Sequence, residues 1–479
     1  MNDYFPLMIT DAPAKTGTVP VTAPFDGAPI AEVETGGDAH VDKALDTAHK
    51  LFRNRDCWLP MHERIDILER AADIMSEESE TLAIEAAREG GKPLMDSEIE
   101  AARAIDGVRL CVETLKTEVG AVIPMGTAQS SVNRVAFTQK EPIGVVVAVS
   151  AFNHPLNLIV HQVAAAVAAG CPVIVKPAGV TPLSCLRFVD ILRRAGLPQE
   201  WCQAIITDAS AVATRLVTDP RVGFFSFIGS AQIGWMLRSK LAPGTRCALE
   251  HGGVAPLIVA ADSDLELAVK AVTKGGYYHA GQVCVSVQRV YAHASIAREF
   301  AERLARAASD LSIGDPTFAT TEIGPLIRHA EVERVHRWVE EALQAGTERL
   351  GGGEPISKSC YPCTVLFDPP SDVNVSRLEI FGPVVCVYPY DDMDVAIEQA
   401  NGLSVAFQAA IFTSNLDTAL RAFRRLDASA VMVNEHTAFR VDGMPFAGLR
   451  ESGLGVGGIP YTIDEMQIEK MLLIRSPEL

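Results

Sequence analysis

From about residue 142 the chain alternates short apolar runs with amphipathic stretches. The first run is rich in valine, and the following stretches have the apolar spacing of helices. Thr181 and Pro182 fit the cap and first turn of the helix that they open. Apolar strands that alternate with helices are typical of a parallel, doubly wound sheet. The predicted strands are 143–150, 171–175, 202–206 and 222–227, and the predicted helices are 158–169, 181–195, 210–217 and 231–241.

A second α/β region begins near Pro256, and long amphipathic helices precede residue 120. Apolar residues at i, i+3 and i+4 predict these helices. Two further segments, 131–139 and 467–474, alternate apolar and polar residues without a following helix. We expect these two to pair as an antiparallel arm that projects from the body and forms an oligomer contact. The other predicted helices are 62–88, 96–117, 265–274, 296–310, 331–346 and 418–426, and 384–388 is predicted to be a buried strand.

Length and charge narrow the classes of function. At 479 residues, 48% of them hydrophobic, the chain is long enough for two or three domains. A formal net charge of -18 repels phosphate backbones and anionic membranes, so neither nucleic acid nor a membrane is an expected partner. Polar residues and proline interrupt the most apolar stretch, and we expect no membrane span.

The ten cysteines are scattered along the chain, and the N-terminus lacks the basic and apolar regions of a secretory signal. A disulfide-stapled secreted domain would be shorter and denser in cysteine, so a cytoplasmic location is expected. Cys360 and Cys363 have the spacing of a metal or redox pair, but no second pair follows at zinc-finger distance. We interpret them as part of a loop that enters a strand, and we expect no metal.

Cys284 lies between a small flexible segment, Gly281-Gln282-Val283, and an apolar strand. Free cysteines are often merely buried, and the surroundings of this one alone are compatible with that interpretation. A catalytic thiolate needs a partner that polarises the electrophile and a route that hydrolyses the acyl product. The rest of the chain decides whether such partners exist.

Asn153 and Glu250 are the candidates for these two partners. Asn153 follows a predicted parallel strand, where such sheets bind ligands, and its amide could donate to a developing oxyanion. The alternative is that Asn153 caps the following helix. Glu250 stands after an apolar run and just before a Gly-Gly pair, a poor place for a carboxylate unless its side chain faces a pocket. As a general base it could activate water toward a thioester.

Together these motifs resemble those of the aldehyde dehydrogenase superfamily. The asparagine, a lysine, a Gly-Ser pair, the glutamate, the cysteine and Glu-Ile-Phe-Gly-Pro at 379–383 occur in the family's order and approximate spacing. Any one of them alone would be weak, whereas the joint match is highly specific. Around Cys284 and over 436–445 the sequence looks closest to the lactaldehyde and non-phosphorylating glyceraldehyde-3-phosphate dehydrogenase branch.

The resemblance implies an α/β fold with a Rossmann-like cofactor domain, an α/β catalytic domain and a small β oligomerisation arm. We assign the NAD(P)-binding domain to 1–120 and 142–249 and the catalytic domain to 250–450. The arm is assigned to 121–141 and 460–479. A homodimer or a homotetramer is the expected assembly.

The resemblance also implies a role for each matching residue. Cys284 matches the nucleophile, Asn153 the amide that holds the oxyanion with the Cys284 backbone N–H, and Glu250 the base that activates water. Lys176 matches the lysine that contacts the adenosine ribose, and Glu379 the glutamate that holds the nicotinamide ribose. The other residues that match cofactor-binding positions are Ser150, Phe152, Gly229, Ser230, Gly234 and Phe381.

The implied reaction is the NAD(P)-dependent oxidation of an aldehyde to its carboxylate. The Cys284 thiolate attacks the aldehyde to give a thiohemiacetal, hydride passes to the nicotinamide, and water activated by Glu250 hydrolyses the thioester. One alternative is a CoA-acylating aldehyde dehydrogenase, although such enzymes typically lack the base at Glu250. The other is a catalytically silent homologue, which would have no need to retain Cys284, Asn153 and Glu250 together.

Four positions depart from the family pattern near the cofactor. Gly179 stands where many NAD-preferring members have a glutamate that binds the adenosine hydroxyls. Its absence removes a hydrogen bond to NAD and also removes repulsion of a 2′-phosphate, so NAD or NADP is the expected cofactor. Ile228, His251 and Val254 replace a usual threonine, a usual leucine, and a usual lysine or asparagine. None of these changes removes a catalytic group.

Arg103, Arg440 and His154 are the candidates for substrate contacts. Both arginines fall near positions at which members that handle anionic aldehydes place arginines. His154 stands where such members have a tyrosine, and Val283 where an arginine would precede the cysteine, so full phosphate recognition is not expected. We expect a short, polar aldehyde that bears a carboxylate, a sulfonate or a similar anion. The alternative is that both arginines are ordinary ion-pair residues.

Overall fold

Two large, mostly parallel sheets form the body of the protein, which a computed structural model describes over residues 3–479. Three smaller sheets accompany them. The strands are β1 Asp3–Phe5, β2 Gly17–Thr22, β3 Pro29–Thr35, β4 Val122–Ile123, β5 Arg134–Pro142, β6 Val145–Val149, β7 Val173–Lys176, β8 Cys202–Ala204, β9 Val222–Ile228, β10 Arg246–Glu250, β11 Ala255–Val259, β12 Val287–His293, β13 Glu348–Gly351, β14 Thr364–Phe367, β15 Val384–Tyr390, β16 Val405–Ala406, β17 Gln408–Phe412, β18 Ala430–Val433, β19 Leu449–Arg450, β20 Gly453–Leu454 and β21 Gln467–Arg475.

Helices cover the faces of both large sheets. The α-helices are α1 Asp38–Arg53, α2 Met61–Glu77, α3 Ser79–Gly90, α4 Leu94–Thr117, α5 Asn157–Ile159, α6 Ala165–Ala169, α7 Leu183–Arg194, α8 Ser210–Thr218, α9 Ala231–Arg238, α10 Leu265–Tyr277, α11 Ala294–Ser309, α12 His329–Gln344, α13 Asn374–Arg377, α14 Met393–Asn401, α15 Leu416–Arg425 and α16 Ile459–Glu465. Within the described residues, no helix has both the length and the apolar character needed to cross a bilayer.

The first large sheet has six strands in the order β20-β10-β9-β6-β7-β8, all parallel except β20. Its central strand β6 is buried on both faces, because Val146 and Ala148 pack into one core and Val145 and Val147 into another. Such two-sided burial explains the nearly continuous apolar run in the sequence. The α/β fold predicted from the alternation of strands and helices is confirmed.

The second large sheet has seven strands in the order β13-β14-β15-β12-β11-β17-β18. All of them are parallel except β13, which runs antiparallel to β14. The chain passes from β10 of the first sheet to β11 of the second through residues 251–254 alone. Groups at the carboxyl end of β10 therefore lie where the two sheets face each other.

Strand β21 pairs with β5 over its whole length, from Gln467 opposite Pro142 to Arg475 opposite Arg134. The alternation of residues predicted this antiparallel pairing, and β4 adds a third strand, which it did not predict. Helix α16 lies within the segment assigned to the arm, but it packs into the core of the first sheet. The domain boundaries, and the role of this sheet as an oligomer contact, stay predictions.

Three helix predictions differ from the structure. The segment 62–88 forms two helices, α2 and α3, which are separated at Glu78. The helix at 158–169 contains a π-helical turn, Val160–Ala164. Helix α7 begins at Leu183, and its first N–H groups donate to the Glu89 carboxylate of α3, not to Thr181.

Candidate active site

A cavity of about 830 Å³ lies between the two large sheets, at the carboxyl ends of β6, β9 and β10. Ligands of open α/β sheets usually bind at this edge. We call it the central cavity. The predicted site residues that line it are Arg103, Ser150, Phe152, Asn153, His154, Gly229, Ser230, Glu250, Cys284, Glu379, Phe381 and Arg440.

Cys284 lies on a loop with a strained backbone. His279 and Ala280 have φ angles of 48° and 54°, in the left-handed region that costs an ordinary residue roughly 1–2 kcal/mol. The side chain of Gln282 fixes this loop, because its Nε2 donates to the carbonyls of His279 and Pro325, both at 3.2 Å. Strain that the surroundings hold in place is common at sites that present a side chain to a ligand.

The thiol of Cys284 is partly exposed to the cavity but lies among apolar and acidic groups. Burial raises its pKa to about 12, and the neighbouring Glu379 and Glu250 act in the same direction. The positive charge of Arg440 acts in the opposite direction. The cysteine therefore rests as a thiol, and its proton has to leave before the sulfur can attack an electrophile.

Asn153 connects the end of β6 to the cysteine loop. Its Nδ2 donates to the backbone carbonyl of Gln282 at 3.0 Å. The N–H groups at the start of the following helix instead donate to Glu100, those of Leu156 at 2.9 Å and Asn157 at 3.0 Å. Asn153 is therefore not the cap of that helix. Because Nδ2 carries a second hydrogen, the amide can still donate into the central cavity.

Glu250 is the last residue of β10, and its backbone carbonyl accepts from Gly229 N at 3.0 Å. Its carboxylate lies against Gly457, where an added Cβ would come within 2.2 Å of Oε1. Burial raises the pKa of Glu250 above its usual value, while Arg440 opposes the rise. A carboxylate with a raised pKa that lines the same cavity as a thiol could serve as a general base.

The lining of the cavity also includes two buried polar atoms that lack partners. Neither Oε1 of Glu379 nor Oγ of Ser150 has a hydrogen-bond partner within residues 3–479. Burial raises the pKa of Glu379 to about 8. Gly252 leaves room for this side chain, because an added Cβ would lie 1.8 Å from Glu379 Oε1. Sugar hydroxyls would satisfy both atoms, so the residues here fit the ribose of a nicotinamide cofactor.

Two aromatic rings stand beside these polar atoms. The rings of Phe152 and Phe381 form a T-shaped pair, with centroids 5.8 Å apart and an interplanar angle of 84°. The backbone of Phe381 is left-handed, with φ of 46°, which turns its ring into the cavity wall. The structure thus brings together residues from the segment after β6 and from the loop before β15, which are far apart in sequence.

Helix α9 begins at the wall of the cavity, directly after Gly229 and Ser230. A Cβ on Gly234 would lie 2.0 Å from Cε1 of His251, whose Nδ1 lies 2.9 Å from the Gly229 carbonyl. Gly234 does not line the cavity; it allows α9 to pack closely against His251. The N-terminus of α9 carries a partial positive charge that favours a phosphate.

Lys176 also lies outside the lining of the central cavity. Its Nζ donates to the carbonyl of Pro177 at 3.3 Å, and burial lowers its pKa. Ala178, two residues further along, does line the cavity. At Gly179 an added Cβ would have no heavy atom within 4 Å, so the space beside the backbone is open.

Comparison with known proteins agrees with this geometry. The sequence profile of the aldehyde dehydrogenase family matches residues 11–472. This chain belongs to the aldehyde dehydrogenase family. A 3-sulfolactaldehyde dehydrogenase of Priestia aryabhattai is 36% identical over 446 residues, which cover 93% of this chain and 92% of that protein.

Two solved structures share the fold along nearly the whole of both chains. Aldehyde dehydrogenase 21 of Physcomitrella patens, in complex with its reaction product succinate, is 31% identical, with a TM-score of 0.95 and coverage of 99% of each chain. The glyceraldehyde-3-phosphate dehydrogenase GapN of Methanocaldococcus jannaschii, complexed with NADP, is 32% identical, with a TM-score of 0.91 and coverage of 96% of this chain and 99% of that chain. The resemblance inferred from the motifs is confirmed: the chain is an NAD(P)-dependent aldehyde dehydrogenase.

The two predicted substrate arginines of this aldehyde dehydrogenase differ in their partners. Arg103 forms a bidentate ion pair with Asp442, at 3.0 Å from Nε and 2.8 Å from Nη2. The guanidinium of Arg440 stacks on Phe446, 3.6 Å from the ring centroid, and its Nε and Nη2 are buried without a hydrogen-bond partner. The ion-pair alternative thus describes Arg103, whereas the charge of Arg440 is open to a ligand.

Sequence reasoning missed two residues that contact side chains in the lining of the cavity. Asp442 binds Arg103 and also accepts from Asn157 Nδ2 at 3.0 Å. Lys92 is fully buried, and its Nζ lies 2.7 Å from Nδ1 of His154. Asp442 had a local signal, since it stands two residues after Arg440. Lys92 had none, because its contact joins segments 62 residues apart.

Proposed function

We propose that this aldehyde dehydrogenase oxidises a short aldehyde that carries an anionic group, through a covalent intermediate on Cys284. The observation that carries the proposal is the unpartnered guanidinium of Arg440 in the same cavity as Cys284. A buried charge without a partner is costly, and an anionic ligand would remove that cost.

The charges around the cavity support an anionic aldehyde as the substrate. Of the three arginines in its lining, Arg103 pairs with Asp442 and Arg334 pairs with Glu331, whereas Arg440 has no acidic partner within residues 3–479. The protein as a whole carries a net charge of -18 and repels anions. A positive group placed beside the reacting cysteine is therefore the feature that would admit an anionic aldehyde. Two relatives fit the same chemistry, since one is named for a sulfonated aldehyde and the other binds a dicarboxylate product.

The proposed chemistry starts at the sulfur. The thiol proton leaves to cavity water, helped by the charge of Arg440, and the Cys284 sulfur bonds to the carbonyl carbon. The carbonyl electron pair moves to oxygen, and Asn153 Nδ2–H donates to the resulting alkoxide, a contact worth about 3–4 kcal/mol in comparable sites. Bound NAD(P) supplies the hydride acceptor. The thioester that remains on Cys284 is opened by water, which gives its proton to Glu250 as the carbon–sulfur bond breaks.

The assembly and the compartment belong to the same proposal. The sheet of β4, β5 and β21 exposes a run of apolar residues, Met471, Leu472, Leu473 and Ile474, which suits a contact between copies of this chain. All ten cysteines are free thiols, which suits a reducing cytoplasm. We propose a cytoplasmic homo-oligomer, either a dimer or a tetramer.

A panel of aldehydes tests the function. Short aldehydes with a carboxylate, a sulfonate or a phosphate are compared with propionaldehyde, with NAD and with NADP, and with and without CoA. Absorbance of the reduced cofactor gives kcat and KM for each pair. Turnover that needs no CoA and favours an anionic aldehyde over propionaldehyde supports the proposal. Strict dependence on CoA, or the absence of turnover with every aldehyde, contradicts it.

The arginine itself is tested by Arg440→Ala. A hydrogen-bonded charge pair is worth about 1.5–3 kcal/mol, so KM for the preferred anionic aldehyde should rise roughly 10- to 100-fold and KM for propionaldehyde far less. Arg421→Ala is the matched control, because Arg421 is exposed, pairs with Asp394 and lies outside the cavity. Equal rises for the charged and the neutral aldehyde would remove the anchor role of Arg440.

A further inference from the structure

A buried ion pair lies directly behind the wall of the central cavity. The side chain of Lys92 is fully buried, and its Nζ is hydrogen-bonded to Oε2 of Glu100. The other oxygen of Glu100 accepts from Leu156 N at 2.9 Å and from Asn157 N at 3.0 Å. One carboxylate thus joins the buried lysine to the helix that follows His154.

The same lysine contacts the ring of His154. Lys92 Nζ lies 2.7 Å from Nδ1 of His154, and His154 in turn lines the central cavity together with Cys284 and Arg440. An ammonium group has only donors, so Nδ1 has to accept this hydrogen bond. A histidine that accepts at Nδ1 is neutral and carries its proton at Nε2. No acceptor within residues 3–479 takes that Nε2 proton, and the side chain keeps 13% of its surface exposed.

The charged and titratable groups around His154 favour the neutral ring. Burial lowers its pKa well below the usual value, and Lys92 and Arg103 act in the same direction. The facing groups on the neighbouring elements are Lys92, Glu100, Arg103, Tyr278, His279 and Arg440. Of these groups, Glu100 alone would favour a proton on the ring. Its Oε2 lies 4.0 Å from Nδ1 of His154 and is paired with Lys92.

We propose that Lys92 and Glu100 hold His154 as a neutral hydrogen-bond donor, through Nε2–H, to an oxygen acceptor on the substrate. The acceptor is a hydroxyl or an anionic oxygen beside the aldehyde carbon. His154 would thereby select aldehydes that carry such an oxygen. This inference rests on the proposed oxidation of a short anionic aldehyde at Cys284. Lys92 and Glu100 act through His154 and are positioning residues.

Two substitutions of His154 separate hydrogen bonding from packing. Glutamine can accept from Lys92 with its carbonyl and donate into the cavity with its amide, whereas phenylalanine keeps a ring of similar size and loses both bonds. His154→Phe should raise KM for the preferred anionic aldehyde roughly tenfold or more, with a far smaller rise for propionaldehyde. His154→Gln should stay within roughly threefold of the unchanged enzyme on the anionic aldehyde. Equal effects of Phe and Gln would overturn the donor role.

Lys92→Met tests the positioning device by its effect on pH dependence. Without the ammonium group, Nδ1 can take a proton, and the carboxylate of Glu100 would favour it. The ratio of kcat/KM for the anionic aldehyde to that for propionaldehyde should then rise severalfold, relative to the unchanged enzyme, as the pH falls below about 6.5. An identical pH dependence in both enzymes would overturn the role of Lys92.

Lys274→Met is the matched control for this test. Lys92 and Lys274 lie over the same Tyr278 ring, 5.9 Å and 4.9 Å from its centroid, but Lys274 is half-exposed and pairs with Asp96. Its removal should leave the pH dependence of the ratio unchanged. If Lys92→Met does not fold, the comparison of the Phe and Gln variants still decides the inference. Failure of the His154 tests with an intact Arg440 effect would overturn this inference alone, whereas the loss of both would overturn the proposed function as well.

Discussion

Burial moves the pKa of three groups around the central cavity. It raises that of Cys284 to about 12 and that of Glu379 to about 8, and it raises that of Glu250 as well. Shifted values of this kind cluster at functional sites, because catalysis needs groups that hold or release protons near neutral pH. Each of the three groups makes a separate step of the proposed reaction sensitive to protonation.

Glu250→Gln should separate the two halves of the reaction. The amide cannot take a proton from water, so hydrolysis of the thioester should slow by about 100-fold or more. We expect stopped-flow absorbance to record a burst of reduced cofactor close to one per site, followed by slow turnover. Cys284→Ala should abolish both burst and turnover while cofactor still binds. Linear turnover of Glu250→Gln at the normal rate would contradict the role of Glu250.

Cofactor affinity should depend on the protonation of Glu379. Ribose hydroxyls donate to the ionised carboxylate, so binding should weaken as the pH falls below the pKa of about 8, up to about tenfold per pH unit. Fluorescence titration of NAD and NADP on either side of this pH measures the effect. Glu379→Gln should bind more weakly and should flatten the dependence. An unchanged slope in that variant would assign the titration to another group.

Local motifs account for the residues that the sequence could predict. Asn153, Glu250 and Cys284 each stand at a strand end or beside glycines, and the structure brings all three to one cavity. The partner of Arg103 could not be predicted in this way, because Asp442 is 339 residues away. Whether an arginine has an acidic partner depends on such distant contacts. Arg103 therefore has one, whereas Arg440 has none in the described part of the chain.

At the scale of elements, the start of helix α7 depends on a different helix. The Glu89 carboxylate, on α3, accepts from Leu183 N at 2.7 Å and from Ser184 N at 2.8 Å. These are two of the N–H groups that every helix leaves without an internal partner at its first turn. These bonds also fix the end of the loop that follows Lys176, at the carboxyl end of β7 in the first sheet.

Glu89→Gln should therefore lower stability. The amide offers one acceptor oxygen in place of two, and a buried N–H is left without a partner, at a cost of about 1–3 kcal/mol. Urea unfolding measures the loss as a lower midpoint. Glu80→Gln, on the same helix but exposed to solvent, is the control and should change the midpoint little. Equal midpoints for the two variants would count against the cap.

Periodicity predicted the kinds of element well, since spacing reports which face a helix or strand buries. It could not predict where one helix gives way to another. The segment 62–88 keeps an apolar spacing throughout, yet the backbone leaves the helix at Glu78, with φ of -102° and ψ of 11°. The Thr181-Pro182 pattern assigned the cap of α7 to Thr181, whereas the structure supplies that cap from α3 through a tertiary contact.

At the scale of the whole molecule, the sheet of β4, β5 and β21 carries a run of exposed apolar side chains. Met471 and Leu472 on β21 point to opposite faces of this sheet and are 54% and 49% exposed. A sheet of three strands needs a covered apolar face to be stable in water. We infer that other copies of the chain cover both faces.

The double substitution Met471→Asp with Leu473→Asp should shift the assembly to a smaller species. Two carboxylates at an apolar contact would have to be buried without partners, and the contact should weaken by several kcal/mol. Sedimentation velocity measures the mass before and after the change. Leu416→Asp is the control, because Leu416 is 71% exposed but lies on α15, away from the arm. An unchanged mass in the double variant would contradict an oligomer contact at β21.

The open space at Gly179 bears on how such an enzyme can change during evolution. No atom packs against this position, so a side chain can appear there without any rearrangement of the core. Because the family resemblance places it beside the adenosine ribose, a single mutation could redirect the electrons of the aldehyde between the NAD and NADP pools. A change of cofactor at this position would therefore cost the fold little stability.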